Sequence, residues 1–346
     1  MASKKILVTG GAGYIGAHTT VELYENGYTP IVIDNFSKSD KTLLDGIEKI
    51  VGKPVIFYEG DCTDKKFLEE VFDKEADIEG VMHFAAYKSV GESVDHPGMY
   101  YRNNLDSLMS LLEEMDKAKV YHLIFSSSCT VYGEPEFVPV DELAPFKKAE
   151  SPYGATKQMS EQILEDAAKG NGDLNIISLR YFNPIGAHPS AMIGELPIDK
   201  PNNLVPYITQ TAAGIREKLT IFGGDYETPD GTCIRDFIHI VDLAQAHVKA
   251  IQKLLNVERR QGGYQYYNLG TGEGVSVLQL VKEFIEVTGS DLLYEIGARR
   301  IGDVVKTYAN PLKAEKELGW KTKLTTKDAL LDAWKWEKRL RNHIGT

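Results

Sequence analysis

Tyr153 and Lys157 stand four residues apart in the run Ser151-Pro152-Tyr153-Gly154-Ala155-Thr156-Lys157. Pro152 suits the first turn of a helix, and residues at i and i+4 share one helix face. A lysine charge beside a phenol stabilises the phenolate and is expected to lower its pKa from about 10. Such a phenol can exchange a proton with an alcohol or sugar hydroxyl near neutral pH. A lone Tyr-x-x-x-Lys is common in structural helices, so its setting decides its meaning. Here the setting is Ser126-Ser127-Ser128-Cys129-Thr130-Val131-Tyr132-Gly133, a serine-rich run that closes an apolar strand. Hydroxyls at the carboxyl end of a parallel strand point toward the usual ligand crevice. Ser128 is expected to hold the reacting hydroxyl for Tyr153. The competing use of such serines is turn capping, expected for at least one of the three.

A second chemical signature lies at the start of the chain. Thr9-Gly10-Gly11-Ala12-Gly13-Tyr14-Ile15-Gly16 follows the apolar run Ile6–Thr9 and opens a helix-like segment. Gly10 allows the tight turn, Gly13 lets the backbone approach a pyrophosphate, and Gly16 permits close helix–strand packing. Free N–H groups at the helix start bind phosphate without a lysine. Asp34 ends the next strand, 24 residues beyond Gly10. A carboxylate there accepts hydrogen bonds from an adenine ribose diol and repels a 2′-phosphate, which favours NAD over NADP. Lys38 nearby weakens that discrimination slightly. Asp61 ends the third strand and has two readings, holding the adenine edge or capping the following helix. No Gly-Lys-Ser/Thr ending follows the glycines, which argues against a nucleotide-hydrolysing phosphate loop.

The elements that must position these residues alternate. Strands are expected at Ile6–Thr9, Thr29–Ile33, Val55–Tyr58, Gly80–Phe84, Val120–Ser126 and Leu174–Arg180. Helices are expected at 15–25, 64–72, 98–117 and 153–168. Short apolar strands separated by helices imply an α/β fold, a Rossmann-type doubly wound parallel sheet covered on both faces. The pattern breaks after Tyr181. Residues 183–203 and 221–236 read as ordered loop, with helices at 240–254, 276–288 and 327–340 and a strand at 264–268. The expected division is an NAD-binding domain at 1–182, with 237–270 returning to it. A smaller C-terminal α/β substrate region then comprises 183–236 and 271–346.

Composition limits the partners. The 346 residues include 39 Lys and Arg against 50 Asp and Glu, a net charge of −11. General binding to nucleic acid or anionic membrane is therefore not expected, although a local basic pocket remains open to a small phosphate ligand. Cys62, Cys129 and Cys233 form no Cys-x-x-Cys pair and suggest neither a disulfide framework nor a zinc site, so no metal is expected. The first apolar run is too short for a signal-peptide core, and no run of about 18 apolar residues exists. The expected compartment is the cytoplasm.

Nearly the whole chain resembles the extended short-chain dehydrogenase/reductase superfamily and, within it, the UDP-glucose 4-epimerases. The segments that carry the resemblance are TGGAGYIGAHT (9–19), HFAAYKSVGES (83–93), SSSCTVYGEP (126–135), SPYGATK (151–157), LRYFNPIGAHPS (179–190), NNLVPYI (202–208), IFGGDYETPDGTCIRDFIH (221–239) and YNLGTGEGVSV (267–277). The resemblance implies Ser128, Tyr153 and Lys157 as the catalytic trio. It implies cofactor contacts at Gly10, Gly13, Tyr14, Ile15, Gly16, Asp34, Asn35, Asp61, Cys62, Phe84, Lys88, Asn103 and Phe182, together with Tyr153 and Lys157. Around a UDP-sugar it implies Ser128, Asn183, Asn203, Leu204, Phe222, Arg235, Arg300, Asp303 and Thr307. Arg235 and Arg300 carry forked donors suited to a diphosphate, although either arginine alone reads more readily as a surface ion-pair residue. The implied activity is reversible inversion at C4 of UDP-glucose and UDP-galactose through a 4-keto sugar, with NAD retained, in a homodimer.

Two other functions are separable. A sugar-nucleotide dehydratase of this fold typically places an Asp-Glu pair after the hydroxyl residue, where this chain has Cys129 and Thr130. A non-catalytic NAD sensor would tolerate loss of Tyr153 or Lys157, yet both stand with Ser128. Thr307 matches a position lining the sugar's N-acetyl side. It is smaller than the tyrosine that narrows some relatives, so UDP-GlcNAc and UDP-GalNAc are further expected substrates, unless neighbouring loops fill the space.

Overall fold

In the computed structural model, residues 3–198, 200–257, 262–300 and 303–344 are described. The first half alternates as expected: β1 (Lys5–Thr9), α1 (Tyr14–Glu25), β2 (Thr29–Asp34), α2 (Thr42–Val51), β3 (Ile56–Glu59), α3 (Lys65–Lys74), β4 (Ile78–His83), α4 (Val90–Asp95), α5 (Pro97–Ala118), β5 (His122–Ser128), α6 (Pro152–Gly170) and β6 (Asn175–Tyr181). Then come β7 (Asn183–Ile185), α7 (Leu204–Ala212), β8 (Leu219–Phe222), β9 (Ile234–Arg235), β10 (Phe237–His239), α8 (Ile240–Leu255) and β11 (Gly263–Leu269). The chain continues through β12 (Val275–Ser276), α9 (Val277–Thr288), β13 (Tyr294–Gly297), β14 (Lys306–Thr307), α10 (Leu312–Leu318) and α11 (Thr326–Ile344).

Seven strands form one parallel sheet in the order β11-β6-β5-β4-β1-β2-β3. Alternation along β1 shows why both faces need helices. Ile6 and Val8 pack with Leu23 of α1 and Leu243 and Ile251 of α8. Leu7 between them packs with Leu108 and Leu111 of α5 and Leu164 of α6. Each such aliphatic side chain contributes about 1.5–3 kcal/mol on burial. The strands flanking β1 are β4 and β2, so the strand order reverses there. A crevice opens at that reversal, outside the carboxyl ends of β1 and β4.

Apart from α10, whose Ala314 and Leu318 pack with α8 and β11 of the large sheet, the remaining elements make a smaller α/β region. β8 pairs with β13, and β9 lies between β12 and β14. Ile208 of α7, Leu280 and Phe284 of α9, and Leu330 of α11 share its core. The expected loops at 183–203 and 221–236 prove partly ordered as strand. β7 pairs in parallel with β10, setting Asn183 opposite Phe237, and Arg235 lies in β9. Among the described residues, no helix is long and apolar enough to cross a membrane.

Candidate active site

The glycine loop is built by contact. Gly10 has φ +68°, and a Cβ there would lie 2.7 Å from the Ala85 amide, just beyond β4. A Cβ on Gly16 would come within 2.2 Å of the Gly10 carbonyl. Only glycine permits both approaches. Gly13 caps α1 without any side-chain cap, leaving first-turn N–H groups for a ligand. The loop opens on a cleft of about 290 Å³. Gly10, Gly13, Tyr14, Ile15, Gly16, Asp34, Asn35, Asp61, Cys62, Phe84, Lys88, Asn103, Tyr153 and Lys157 all line it. Phe182 does not. Its ring is buried with Val131, Tyr132, Val140 and Ala309, one residue beyond the lining Tyr181.

Asp34 is held by the loop it serves. Its Oδ2 accepts from Ala12 N at 3.0 Å, and its Oδ1 accepts from Phe36 N and Ser39 Oγ. A carboxylate has about four acceptor positions, so one remains for a ribose hydroxyl. Lys38 is tied to Glu92 at 2.8 Å. The two readings of Asp61 separate here. Asp64, not Asp61, caps α3, accepting from Lys66 N and Phe67 N. Asp61 instead accepts from Thr63 N, Thr63 Oγ1 and Asn35 Nδ2. Partial burial pushes its carboxyl up, but these hydrogen bonds outweigh that and hold it below the usual carboxylate range. Free helix-end donors, a backbone with no Cβ in the way and an acid at the β2 end together fit a dinucleotide, and the cofactor is NAD.

On the opposite wall, α6 begins at Ser151, whose Oγ accepts from Gly154 N. One helix face then carries Tyr153 and Lys157 into the cleft. Lys157 Nζ donates to the Ser126 carbonyl at 2.6 Å and lies 5.9 Å from the Tyr153 ring centre. The expected lowering of the tyrosine pKa is not what this arrangement produces. Burial pushes the Tyr153 phenol up to about 12, and a hydrogen bond from Ser128 pulls only partly against it. Burial also pushes Lys157 down to about 7, with the Glu161 charge opposing. A half-neutral lysine gives the phenolate little help, so desolvation wins. Of the three serines, Ser127 donates to Glu161, while Ser128 both interacts with Tyr153 and accepts from Thr130 N at 3.2 Å. Ser128 thus caps the turn at Cys129–Tyr132 as well.

The other expected ligand residues gather farther along. Arg300 bonds Asp303 at 2.6 Å, Arg235 stands 3.8 Å from the same carboxylate, and the Arg300 guanidinium lies 5.8 Å from the Phe222 ring centre. Thr307 is in register with Arg235 across β14 and β9. Among the described residues, Arg235 otherwise donates only to its neighbour's carbonyl, and its charge reaches Cys129, next to Ser128. Asn183 Oδ1 is buried and, among the described residues, has no hydrogen-bond partner. Asn203 lines the cleft at the N-cap position of α7, its amide donating to Glu195 rather than capping the helix, while Leu204 packs partly against the core that holds α7. Phe222, Arg235, Arg300, Asp303, Thr307 and Asn183 lie outside the cleft lining.

Tyr87, Ser126 and Tyr181 also line the cleft, inside the resembling segments but without an expected role, and Glu195 lines it from outside those segments. Glu195 accepts from Lys88 at 3.2 Å and from Asn203 at 2.5 Å, joining residues 107 and 8 positions away. Its role follows from where the 186–203 segment returns, which residue spacing does not reveal. Cys129 and Thr130 offer no carboxylate, and burial pushes the Cys129 thiol up to about 12. Among the described residues, no group of three or more His, Cys, Asp or Glu is placed to hold a metal ion.

Comparison with known proteins agrees with this construction. The sequence profile of the NAD dependent epimerase/dehydratase family matches residues 6–270. A UDP-glucose 4-epimerase of Yersinia enterocolitica is 50% identical over 333 residues, covering 96% of this chain and 97% of that protein. One from Dictyostelium discoideum is also 50% identical over 333 residues, covering 96% and 95%. The crystal structure of UDP-glucose 4-epimerase from Bifidobacterium longum in complex with NAD+ and UDP superposes with a TM-score of 0.94. It is 45% identical and covers 98% of this chain and 99% of its own. A shared profile, half-identical relatives and a coincident fold over almost all of its length mean that the chain belongs to the NAD dependent epimerase/dehydratase family, among its UDP-glucose 4-epimerases.

Proposed function

We propose that the protein reversibly inverts C4 of UDP-glucose and UDP-galactose through a 4-keto sugar, keeping NAD bound throughout. What carries the reading is Tyr153 and Lys157 in the same cleft as the glycine loop, with Ser128, outside the lining, beside the Tyr153 phenol. When bound, NAD supplies the hydride acceptor and donor at C4 and, oxidised, a positively charged ring. Tyr153 takes the proton of the 4-hydroxyl and later returns it on the opposite face. Ser128 aligns that hydroxyl and, by donating to the phenol, favours its ionised form. Lys157, anchored to the Ser126 carbonyl, holds the nicotinamide ribose and adds its charge. Gly13, Tyr14, Ile15 and Gly16 bind the pyrophosphate, with Asp34 on the adenine ribose. Asn35, Asp61, Cys62, Phe84, Lys88 and Asn103 complete the cofactor side. Incubation with UDP-galactose and no added NAD should give UDP-glucose until a mixture is reached, quantified by chromatography. No conversion, even with NAD⁺ added, overturns the reading.

Asn183, Asn203, Leu204, Phe222, Arg235, Arg300, Asp303 and Thr307 take the UDP-sugar, the arginines meeting the diphosphate. Asp303 holds both guanidiniums in one place while leaving donors free, which suits a bidentate anion clamp. Arg300→Ala should raise KM for UDP-galactose about tenfold or more, with the amount of NAD carried by the purified protein unchanged. An unchanged KM removes Arg300 from the site.

Residues 1–182 and 237–270 form the NAD-binding unit, and 183–236 with 271–346 the UDP-sugar unit. Thr307 sits beside Arg235 with only a small side chain, which supports turnover of UDP-GlcNAc and UDP-GalNAc. Thr307→Tyr should lower N-acetylated turnover by about 10–200-fold while leaving UDP-galactose within a few-fold, by steric exclusion. Equal loss on both pairs defeats this assignment. The chain works as a homodimer in the cytoplasm. Met99 and Met109 on α5 and Met159 on α6 are exposed large hydrophobics on neighbouring helices, which supports a four-helix contact. Three free cysteines are compatible with a reducing compartment.

A further inference from the structure

Tyr181 ends β6 and lines the cleft, and behind it stands His247, a fully buried residue of α8. Tyr181 Oη and His247 Nε2 are 2.6 Å apart, and His247 Nδ1 lies 2.8 Å from the Leu243 carbonyl oxygen. The imidazole is wedged between two walls of the cleft, its centre 4.9 Å from the Phe84 ring and 5.2 Å from the Tyr181 ring.

This geometry assigns every proton. A carbonyl only accepts, so Nδ1 carries the hydrogen of that bond. Burial pushes the imidazole down to about 4, so the ring is neutral and Nε2 is bare. A bare nitrogen at 2.6 Å must accept, so the Tyr181 hydroxyl donates to it. Burial pushes the Tyr181 phenol up, with Ser126 acting only partly against it, so the hydroxyl keeps its proton. Hydrogen bonds therefore run one way, from Tyr181 through His247 to Leu243, and end on a carbonyl that cannot pass a proton on.

We propose that His247 is a positioning residue for the reaction, keeping the Tyr181 hydroxyl turned into the core so that the cleft meets its oxygen only as an acceptor. Ser126 also lines the cleft, and its own carbonyl anchors Lys157. A ligand group at this point must therefore be a donor, such as a primary carboxamide. Without the histidine, the Tyr181 proton is free to turn toward the cleft and compete with such a donor. The inference rests on the cleft being the NAD site.

The test uses the holoenzyme. The readouts are UDP-galactose conversion and, after borohydride reduction of bound NAD, the absorbance maximum of the reduced nicotinamide. His247→Leu removes the acceptor at similar volume. It should slow kcat about tenfold and shift the band, the scale of one misdirected hydrogen bond. His247→Gln, which restores an acceptor, should stay within about twofold of the parent with the band in place. In a Tyr181→Phe background, His247→Leu should add less than about twofold, because the histidine acts only through that hydroxyl. Should His247→Leu not fold, His247→Asn replaces it with the same expectation, its amide being too short to reach Tyr181. An unmoved band, equal losses for Leu and Gln, or a full additional loss in the Tyr181→Phe background each reduce His247 to packing. A wild-type protein that carries no NAD overturns the cleft reading as well, so the two failures are distinguishable.

Discussion

Tyr153→Phe should fold, keep its NAD and lose conversion of UDP-galactose by about 10²–10⁴-fold, the usual contribution of a positioned acid–base group. The substitution removes one oxygen from a helix whose position does not depend on it. α6 is held at its start by the Ser151 cap and lower down by the buried Glu161. What is lost is the proton acceptor for the C4 hydroxyl, and Ser128 alone is too weakly basic to replace it. Progress curves on wild type and variant, with unfolding midpoints and bound NAD measured alongside, separate chemistry from folding. Near-normal turnover would remove Tyr153 as the acid–base residue. The high phenol pKa set by the protein's own groups sharpens the expectation. With Tyr153 pushed up to about 12 by burial, the phenol is not set for proton abstraction by desolvation alone, and a Lys157 at about 7 carries only part of the charge that would ionise it. Its activation relies on the Ser128 hydrogen bond and on positive charge beside it, and it needs the hydroxyl to act on.

Much of this site is legible in residue spacing because glycine and proline carry conformational meaning on their own. Gly10 and Gly16 announce a turn and a close helix approach that no other residue survives. Pro152, one residue before Tyr153, announces the start of α6. The missed elements hide for equally local reasons. α2 carries Gly46 in its interior, a poor helix residue, present because a Cβ there would lie 2.3 Å from the Met192 carbonyl. α7 carries Pro206 at its third position. β8 and β13 are four residues each and find one another across more than 70 positions, a pairing that periodicity does not carry. The direction of the Tyr153 shift is missed for a different reason. Charge neighbours are visible in a helix repeat, whereas the degree of desolvation is a property of the assembled cleft. The same holds for Glu195 and His247, which matter through partners 107 and 66 residues away.

Glu161→Gln should be the most destabilising conservative change near the site, costing about 3–5 kcal/mol of folding stability. Glu161 and Arg180 are each about 3% exposed, so water supports neither charge. Arg180 bonds both oxygens of the carboxylate, with its shortest contact at 2.6 Å, and also donates to Tyr132 Oη. Its guanidinium lies 4.0 Å from the Tyr266 ring centre and 4.8 Å from that of Phe146. Ser127 and Tyr264 donate to the same carboxylate. A glutamine keeps the shape but leaves a buried guanidinium without its counter-ion, and that uncompensated charge, more than any lost hydrogen bond, sets the cost. Urea unfolding of wild type and variant measures it, and a loss under about 1 kcal/mol would mean that the aromatic rings alone carry Arg180. The change has a functional arm, because Glu161 lies one turn beyond Lys157 and its charge raises the lysine pKa. Neutralising Glu161 and leaving Arg180 unopposed both act to lower that pKa. If protonated Lys157 supports the reaction, the loss of activity on the alkaline side begins at lower pH in Glu161→Gln than in wild type. A pH profile that does not move separates the two roles, leaving Glu161 to hold the strand end and α6 together while Lys157 takes its charge state from burial alone.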